Sequence, residues 1–344
     1  MAIFMARKIM LGDGAFTGSR EQGNPYKGDL GKGVAYDLYE ARTKIVRQDG
    51  RTPVVTTPYR EGARKLVQYL RAKKEQWTVL DVGSGTGITT LEVLEQNPLG
   101  KVRVLGVEIS PGMLNVGRYK FHQARLGLAQ FRETPELLGY WAKFREESSQ
   151  FGRGQVKFVH GDIQETGVGE GIADCAVANQ VMHWTDLSKA FGQLQRMLRG
   201  EGQVVWNSAS HFYDDGRFPS AEYGFRYNDF MGFVMDEVAK RVPVKDYKRL
   251  SKPAHTIESI REITRVQGFK TTQVGTFLVP VDLQTFIRNH VPVFVRQLVG
   301  QEIDGSAPEG MVQEAIAAAV NNPRALADIK HKYDIVPIFE SVKM

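Results

Sequence analysis

The chain has 344 residues, one cysteine and a formal net charge of +6 at pH 7, a length that predicts one α/β core enlarged by additions. No apolar run approaches the roughly 18 residues of a membrane span, and the first ten residues lack the apolar stretch of a secretory signal, so we expect a soluble, cytoplasmic protein. The lone cysteine, Cys175, excludes a disulfide framework and a cysteine-rich metal site, and its apolar surroundings predict a core position.

The positive charge is concentrated at the N-terminal side of the chain. Residues 1–74 hold 15 Lys and Arg against 7 Asp and Glu, which leaves 30 against 32 for the other residues. These cations are scattered among acids and do not form the Lys/Arg-rich run that marks nucleic-acid patches. We interpret them as a solvated, mildly basic face, and a nucleic-acid partner is not favoured.

Residues 1–74 are predicted to be a mobile leader followed by helices. The glycine density of residues 11–34 forbids a stable helix or strand. Apolar residues then recur at helical spacing from residue 35 to about 49, and a second helix is expected from about 58 to 73. Both helices should precede the sheet.

Residues 75–210 alternate strand and helix, the order that implies a parallel sheet with right-handed crossovers. The helix after the fourth strand should open at Asp186 as its N-cap. The expected strands are 78–83, 102–108, 155–159, 173–179 and 202–208. The expected helices are 87–96, 111–127 and 186–199, with an inserted helix at 134–148.

The remainder of the chain adds two insertions to this core. Residues 211–256 are rich in aromatic side chains and leave the carboxyl end of a strand, the edge at which open α/β sheets bind ligands, so we interpret them as a lid. Residues 257–281 should return to the core as a helix and a strand. Residues 282–330 are predicted to be a second, helical lid, and residues 331–344 to hold the final strand.

The sequence Asp81-Val82-Gly83-Ser84-Gly85-Thr86-Gly87 breaks an apolar strand into a glycine-rich turn. Such a turn lets the backbone approach a ligand where any Cβ would clash. Glu108 ends the next strand, the position at which a nucleotide-binding sheet presents a carboxylate to ribose hydroxyls. The spacing differs from the dinucleotide pattern G-x-G-x-x-G, and an acid at the strand end suits a cationic ligand better than a pyrophosphate.

With His160-Gly161-Asp162-Ile163 and the closing strand of the sheet, these residues resemble the class I S-adenosylmethionine-dependent methyltransferases over about residues 60–210. The resemblance implies a doubly wound, mostly parallel seven-stranded sheet with an antiparallel last strand and helical lid insertions, and S-adenosylmethionine as cofactor. It implies cofactor-binding roles for a set of residues: Asp81, Gly83, Gly85, Gly87, Glu108, Ile109, Met113, Asp162, Ile163 and Asn179.

Within this set, the resemblance assigns each residue a part of the cofactor. Asp81 supports the amino group, and the three glycines approach the methionyl and ribose parts. Glu108 takes the two ribose hydroxyls. The adenine ring is expected against Ile109 and Met113, with Asp162 accepting from its amino group and Ile163 beside it; Asp162 as a turn cap is the alternative.

The acceptor side is expected after the fourth strand, at Asn179 to Asp186. This segment lacks the N/D-P-P-Y/F/W sequence of base and glutamine methyltransferases, and His183-Trp184 looks like the small-molecule branch of the family. His183 is the candidate general base, because imidazole titrates near neutral pH; a histidine packed under Trp184 is the equal alternative. His211 and Tyr213 are reserves, and no metal is expected.

We therefore predict a methyltransferase acting on a small, largely apolar metabolite, with O-methylation favoured and C-methylation open. Two alternatives stay open. One is an RNA or protein methyltransferase that uses the basic N-terminal segment, and the other is a non-catalytic S-adenosylmethionine-binding regulatory subunit. The sequence gives no indication of the oligomeric state.

Overall fold

The computed structural model describes a sheet, the helices that cover it and a few short pieces between them. The described residues are 45–48, 53–70, 76–97, 102–125, 135–152, 154–208, 236–237, 240–241, 255–280, 314, 317–318, 321 and 333–344. No helix within these ranges has the length and apolar character needed to span a bilayer. The leader and most of both expected lids lie outside the described residues, so their predictions stay predictions.

Nine strands of the described residues form one sheet in the order β2-β1-β8-β9-β7-β6-β3-β4-β5. Strands β3 to β7 are parallel to their neighbours within this group, whereas β9 runs antiparallel to both β7 and β8. The predicted seven-stranded sheet with an antiparallel last strand is thus confirmed, with two strands added at one edge. The strands are β1 Ile45–Gln48, β2 Pro53–Thr56, β3 Trp77–Val82, β4 Val102–Glu108, β5 Val156–His160, β6 Ala173–Asn179, β7 Leu198–Asn207, β8 Phe269–Pro280 and β9 Tyr333–Lys343.

Within the described residues, six longer helices accompany these strands. They are α1 Pro58–Leu70, α2 Ile88–Glu95, α3 Pro111–Lys120, α4 Pro135–Ser149, α5 Leu187–Met197 and α6 Ile257–Val266. Asp186 caps α5 as predicted, accepting a hydrogen bond from the backbone N–H of Lys189. A short 3₁₀ helix, Met182–Trp184, lies between β6 and α5.

Two of the sequence predictions about element bounds are wrong. The helix expected from residue 35 to about 49 is a strand over 45–48, and this strand pairs antiparallel with both β2 and β8. Sheet pairing overrides the helical spacing of a few apolar residues. The helix expected to reach residue 127 ends at Lys120, because the chain turns at His122, whose φ of 59° is incompatible with a right-handed helix.

The core lies on both faces of the sheet, as the alternation of side chains along β3 requires. Val79 points into one layer, where α1 contributes Leu66, and Leu80 points into the other, where α5 contributes Phe191. Cys175 is fully buried in the first layer, as predicted. Helices cover both faces of the sheet, so the edge formed by the carboxyl ends of β3, β4, β6 and β7 is the place for a ligand.

Candidate functional site

The glycine turn after β3 has a backbone that side chains rarely permit. Gly83, Gly85 and Gly87 have φ values of 61°, 54° and 84°, all in the left-handed region that favours glycine. A Cβ on Gly83 would also come within 2.3 Å of Val181 Cγ2. The turn therefore needs glycine for conformation and for space, which gives the sequence motif its physical reason.

Glu108 holds this turn from the neighbouring strand. One carboxylate oxygen accepts a hydrogen bond from the N–H of Gly85 (2.8 Å), and the other accepts from the N–H of Ser110 (2.7 Å). Burial raises the pKa of Glu108 above its ordinary value, while backbone N–H donors at Ser110, Gly85 and Ile109 lower that pKa. A carboxylate has about four acceptor sites, so Glu108 can accept from these backbone donors and still accept from a ligand hydroxyl.

Asp81 lies beneath the turn, and one of its two carboxylate oxygens has no hydrogen-bond partner among the described residues. Oδ2 accepts from Thr90 Oγ1 at 2.6 Å, whereas Oδ1 is buried and accepts from no residue that the structure describes. Burial raises the pKa of Asp81 to about 7, the Thr90 hydrogen bond lowers it, and the nearby Glu108 raises it. Since buried polar atoms are nearly always paired, this oxygen indicates a ligand that donates a hydrogen bond.

A cavity lies directly against the turn. Its described lining consists of a single aromatic residue, the turn itself and the start of α2: Tyr59, Gly83, Ser84, Gly85, Thr86, Ile88 and Thr89. Ser84 adds a second buried oxygen, Oγ, without a partner among the described residues. Asp81 is not among the described lining residues, and its unsatisfied oxygen lies beneath the turn. The left-handed turn fits a ligand chain of small cross-section, and the Asp81 oxygen fits a cationic amino group on that ligand.

The residues expected around the adenine ring follow the carboxyl ends of β4 and β5. Met113 is buried, and its Cε is 3.0 Å from the position that a Cβ on Gly85 would take. The His160 ring nitrogen Nε2 lies 2.9 Å from the Ile109 carbonyl and so ties the two loops together. Ile163 is buried in the core.

Asp162 caps its own turn, because its Oδ1 accepts a hydrogen bond from the backbone N–H of Gln164 at 2.9 Å. A carboxylate oxygen accepts more than one hydrogen bond, so this cap does not exclude an adenine contact. The predicted adenine role of Asp162 stays a prediction.

Asn179 is held by three hydrogen bonds within the protein, and its predicted cofactor role stays a prediction. Its amide nitrogen donates to the Tyr59 carbonyl and to Thr89 Oγ1, and its oxygen accepts from Asn207 Nδ2 at 2.6 Å. Asn179 therefore joins α1, α2 and β7 under the cavity.

Gln180 follows Asn179 in the left-handed region, with a φ of 56°. Its backbone N–H and its side-chain amide both donate to Asn207 Oδ1. A non-glycine residue in this conformation costs free energy, and the buried Asn207 side chain compensates for that cost.

His183 lies on the 3₁₀ helix after β6, as the sequence places it. Its Nδ1 is 3.2 Å from the buried Ser208 Oγ, and its ring centroid is 4.8 Å from that of Trp184. The contact with Trp184 matches the packing alternative, and the ring is partly exposed. His211 and Tyr213 lie outside the described residues.

The structure brings three further residues to the site that the sequence reasoning missed: Tyr59, Thr90 and Asn207. Tyr59 lies before the glycine-rich motif, and no sequence motif around it indicates a functional residue. Thr90 is one of two adjacent threonines in α2, and no sequence motif marked it. Asn207 had a detectable signal, because neighbouring strands β6 and β7 both end in asparagine, and those asparagines are register partners.

A family model described as "Methyltransferase domain" matches residues 80–206. A malonyl-[acyl-carrier protein] O-methyltransferase of Nitrosospira multiformis is 28% identical over 131 residues, which are 38% of this chain and 38% of that protein. The chain therefore matches well under half of that relative's length.

Two broader matches extend further along the chain. A ubiquinone/menaquinone biosynthesis C-methyltransferase of a Geobacter species is 22% identical over 210 residues, covering 58% of this chain and 77% of that protein. Among solved structures, YcgJ of Bacillus subtilis is 12% identical with a TM-score of 0.47, covering 82% of this chain and 98% of that one.

Proposed function

We propose that this chain, which carries a class I S-adenosylmethionine-dependent methyltransferase domain, transfers the cofactor's methyl group to a small, largely apolar metabolite. The observation that carries the proposal is the buried Oδ1 of Asp81, which has no hydrogen-bond partner among the described residues and lies beside the left-handed glycine turn. A cationic amino group satisfies that oxygen, whereas a pyrophosphate would add a second negative charge to a buried carboxylate.

The donor side of the site binds and orients the cofactor. Asp81 Oδ1 accepts from the amino group of the methionyl part, and the glycine turn lets the chain around the sulfur pass close to the backbone. Glu108 accepts from the ribose hydroxyls with its remaining lone pairs. The cofactor supplies an activated sulfonium methyl, so alignment of the acceptor and exclusion of water are what the protein must add.

The acceptor side lies at the carboxyl end of β6, where His183 is hydrogen-bonded to Ser208. In O-methylation of a hydroxyl, the acceptor oxygen forms the bond to carbon, the sulfur keeps the electron pair of the broken bond, and His183 takes the hydroxyl proton. A carboxylate acceptor needs no base, and His183 then orients it. The relatives include both an O- and a C-methyltransferase; we favour O-methylation because His183 offers a base.

A labelled-methyl assay tests the proposal. Protein and S-adenosylmethionine carrying a ¹³C-methyl group are incubated with a malonyl thioester, a phenol, an isoprenoid quinol, bulk tRNA and denatured protein, and products are identified by mass spectrometry. We expect transfer to one of the small acceptors and none to the macromolecules. Labelled tRNA or protein would contradict the small-molecule proposal, and absence of cofactor binding would contradict the methyltransferase role.

A further inference from the structure

The first turn of α1 is fixed to the sheet edge by two buried asparagines. Asn207 Nδ2 donates to the Pro58 carbonyl at 3.2 Å, and Asn179 Nδ2 donates to the Tyr59 carbonyl at 3.3 Å. The two amides are joined to each other at 2.6 Å. Buried amides are costly unless every polar atom is paired, so this pair specifies one position for the start of α1.

The backbone of α1 also touches the sheet edge closely. A Cβ on Gly62 would lie 2.2 Å from Asn179 Oδ1. Glycine within a helix costs about 1 kcal/mol relative to alanine, and this contact is what the glycine permits. The helix start is therefore held at a fixed distance from the carboxyl ends of β6 and β7.

This anchoring places Tyr59 in the cavity wall. Tyr59 is the one aromatic residue in the described lining of the cavity. Tyr59 is buried and lines the cavity together with the glycine turn and the first residues of α2. If the glycine turn holds the methionyl and ribose parts of the cofactor, as the proposed function requires, the sulfur that joins those parts would lie at the cavity that Tyr59 lines.

We propose that Tyr59 is a cofactor-contacting residue whose aromatic ring favours the sulfonium form over the uncharged thioether product. The proposal rests on the proposed function. A cation is attracted to the face of an aromatic ring, and the attraction is strongest where water is excluded. The thioether that remains after methyl transfer has lost this charge, so the ring helps to retain substrate and release product.

Calorimetry separates this role from a purely structural one. S-adenosylmethionine and S-adenosylhomocysteine are titrated, above pH 7.5, into the wild type, Tyr59→Leu and the matched control Tyr59→Phe. For Tyr59→Leu we expect the affinity for S-adenosylmethionine to fall by about 3- to 30-fold more than the affinity for S-adenosylhomocysteine. Tyr59→Phe keeps the ring and should keep the wild-type ratio of the two affinities.

A second apolar variant, Tyr59→Met, repeats the measurement with a longer side chain in case Tyr59→Leu does not fold, and binding of S-adenosylhomocysteine reports folding in each sample. An amine analogue that carries an ammonium in place of the sulfonium should follow S-adenosylmethionine. Equal losses for the charged and uncharged ligands, or no loss for either, would overturn the proposal. Failure of the wild type to bind both ligands would instead contradict the proposed function.

Discussion

Replacement of Asp81 by asparagine should make the protein more stable and its cofactor binding weaker. Burial raises the pKa of Asp81 from its ordinary value of 3.8 to about 7, which corresponds to about 4 kcal/mol. For an acid whose pKa is raised on folding, the contribution to stability is fully present below pH 3.8 and is lost as pH rises through about 7. At pH 8, the buried charge of Asp81 therefore lowers the free energy of unfolding of the wild type.

Asparagine has the same shape and carries no charge to bury. Its oxygen can still accept from Thr90 Oγ1, and its nitrogen replaces an oxygen that already lacks a described partner. Urea unfolding without ligand should therefore show Asp81→Asn and wild type nearly equal at pH 4, with the variant gaining up to about 4 kcal/mol by pH 8.

Binding should change in the opposite direction. Loss of a hydrogen bond to a charged group should weaken S-adenosylmethionine by about 10- to 150-fold at pH 8. In the wild type, affinity should fall as pH drops below about 7, because the protonated carboxyl group loses its attraction for the amino group; in Asp81→Asn this dependence should disappear.

The control is Asp174→Asn, a carboxylate that accepts from the Thr78 N–H and pairs with Arg199. This change should not stabilise the protein or alter cofactor affinity. A variant Asp81→Asn that is less stable than wild type at pH 8 would show that the carboxylate is paired in the folded protein. Unchanged affinity would show that Oδ1 does not meet the cofactor.

Two further predictions concern the turn and the candidate base. Gly83→Ala should abolish measurable cofactor binding in calorimetry and destabilise the protein by about 1–3 kcal/mol, because Gly83 has a positive φ and its new Cβ would contact Val181. The control Gly139→Ala, in open space on α4, should instead increase the free energy of unfolding by about 0.5–1 kcal/mol. The reverse ranking of the two variants would refute the steric reasoning. His183→Ala should leave cofactor affinity unchanged and lower turnover of a hydroxyl acceptor by about 10²–10⁴-fold. His183→Gln, which can still bond to Ser208, should be as slow, and near-wild-type turnover in either variant would assign His183 to packing.

The sequence predicts the core well because each of its elements is a strong local pattern. The apolar runs of β3, β4 and β6 end where polar or glycine residues begin, and the structure places those ends within a residue of the prediction. The glycine turn was predictable because three closely spaced left-handed residues strongly favour glycine. The contact between Glu108 and Gly85 follows from the parallel pairing of β4, which ends at Glu108, with β3, which the glycine turn follows.

Contacts between residues that are far apart in the chain could not be predicted from the sequence. The role of Asn179 depends on Asn207 and on the carbonyl of Tyr59, which lies 120 residues away. Likewise, strand β1 exists because β2 and β8 pair with it, although its own apolar spacing is helical. No local pattern encodes such partners, so the predictions fail where tertiary pairing decides.

The most direct test of the central claim is a calorimetric titration of S-adenosylhomocysteine into the wild type and Glu108→Ala at pH 8. Binding to the wild type with one site per chain and micromolar affinity is expected, with a loss of about 1.5–3 kcal/mol in the variant. Glu262→Ala, an exposed carboxylate paired with Arg265 on α6, should match the wild type. No binding by the wild type, or equal affinity in Glu108→Ala, would contradict a cofactor site at the glycine turn.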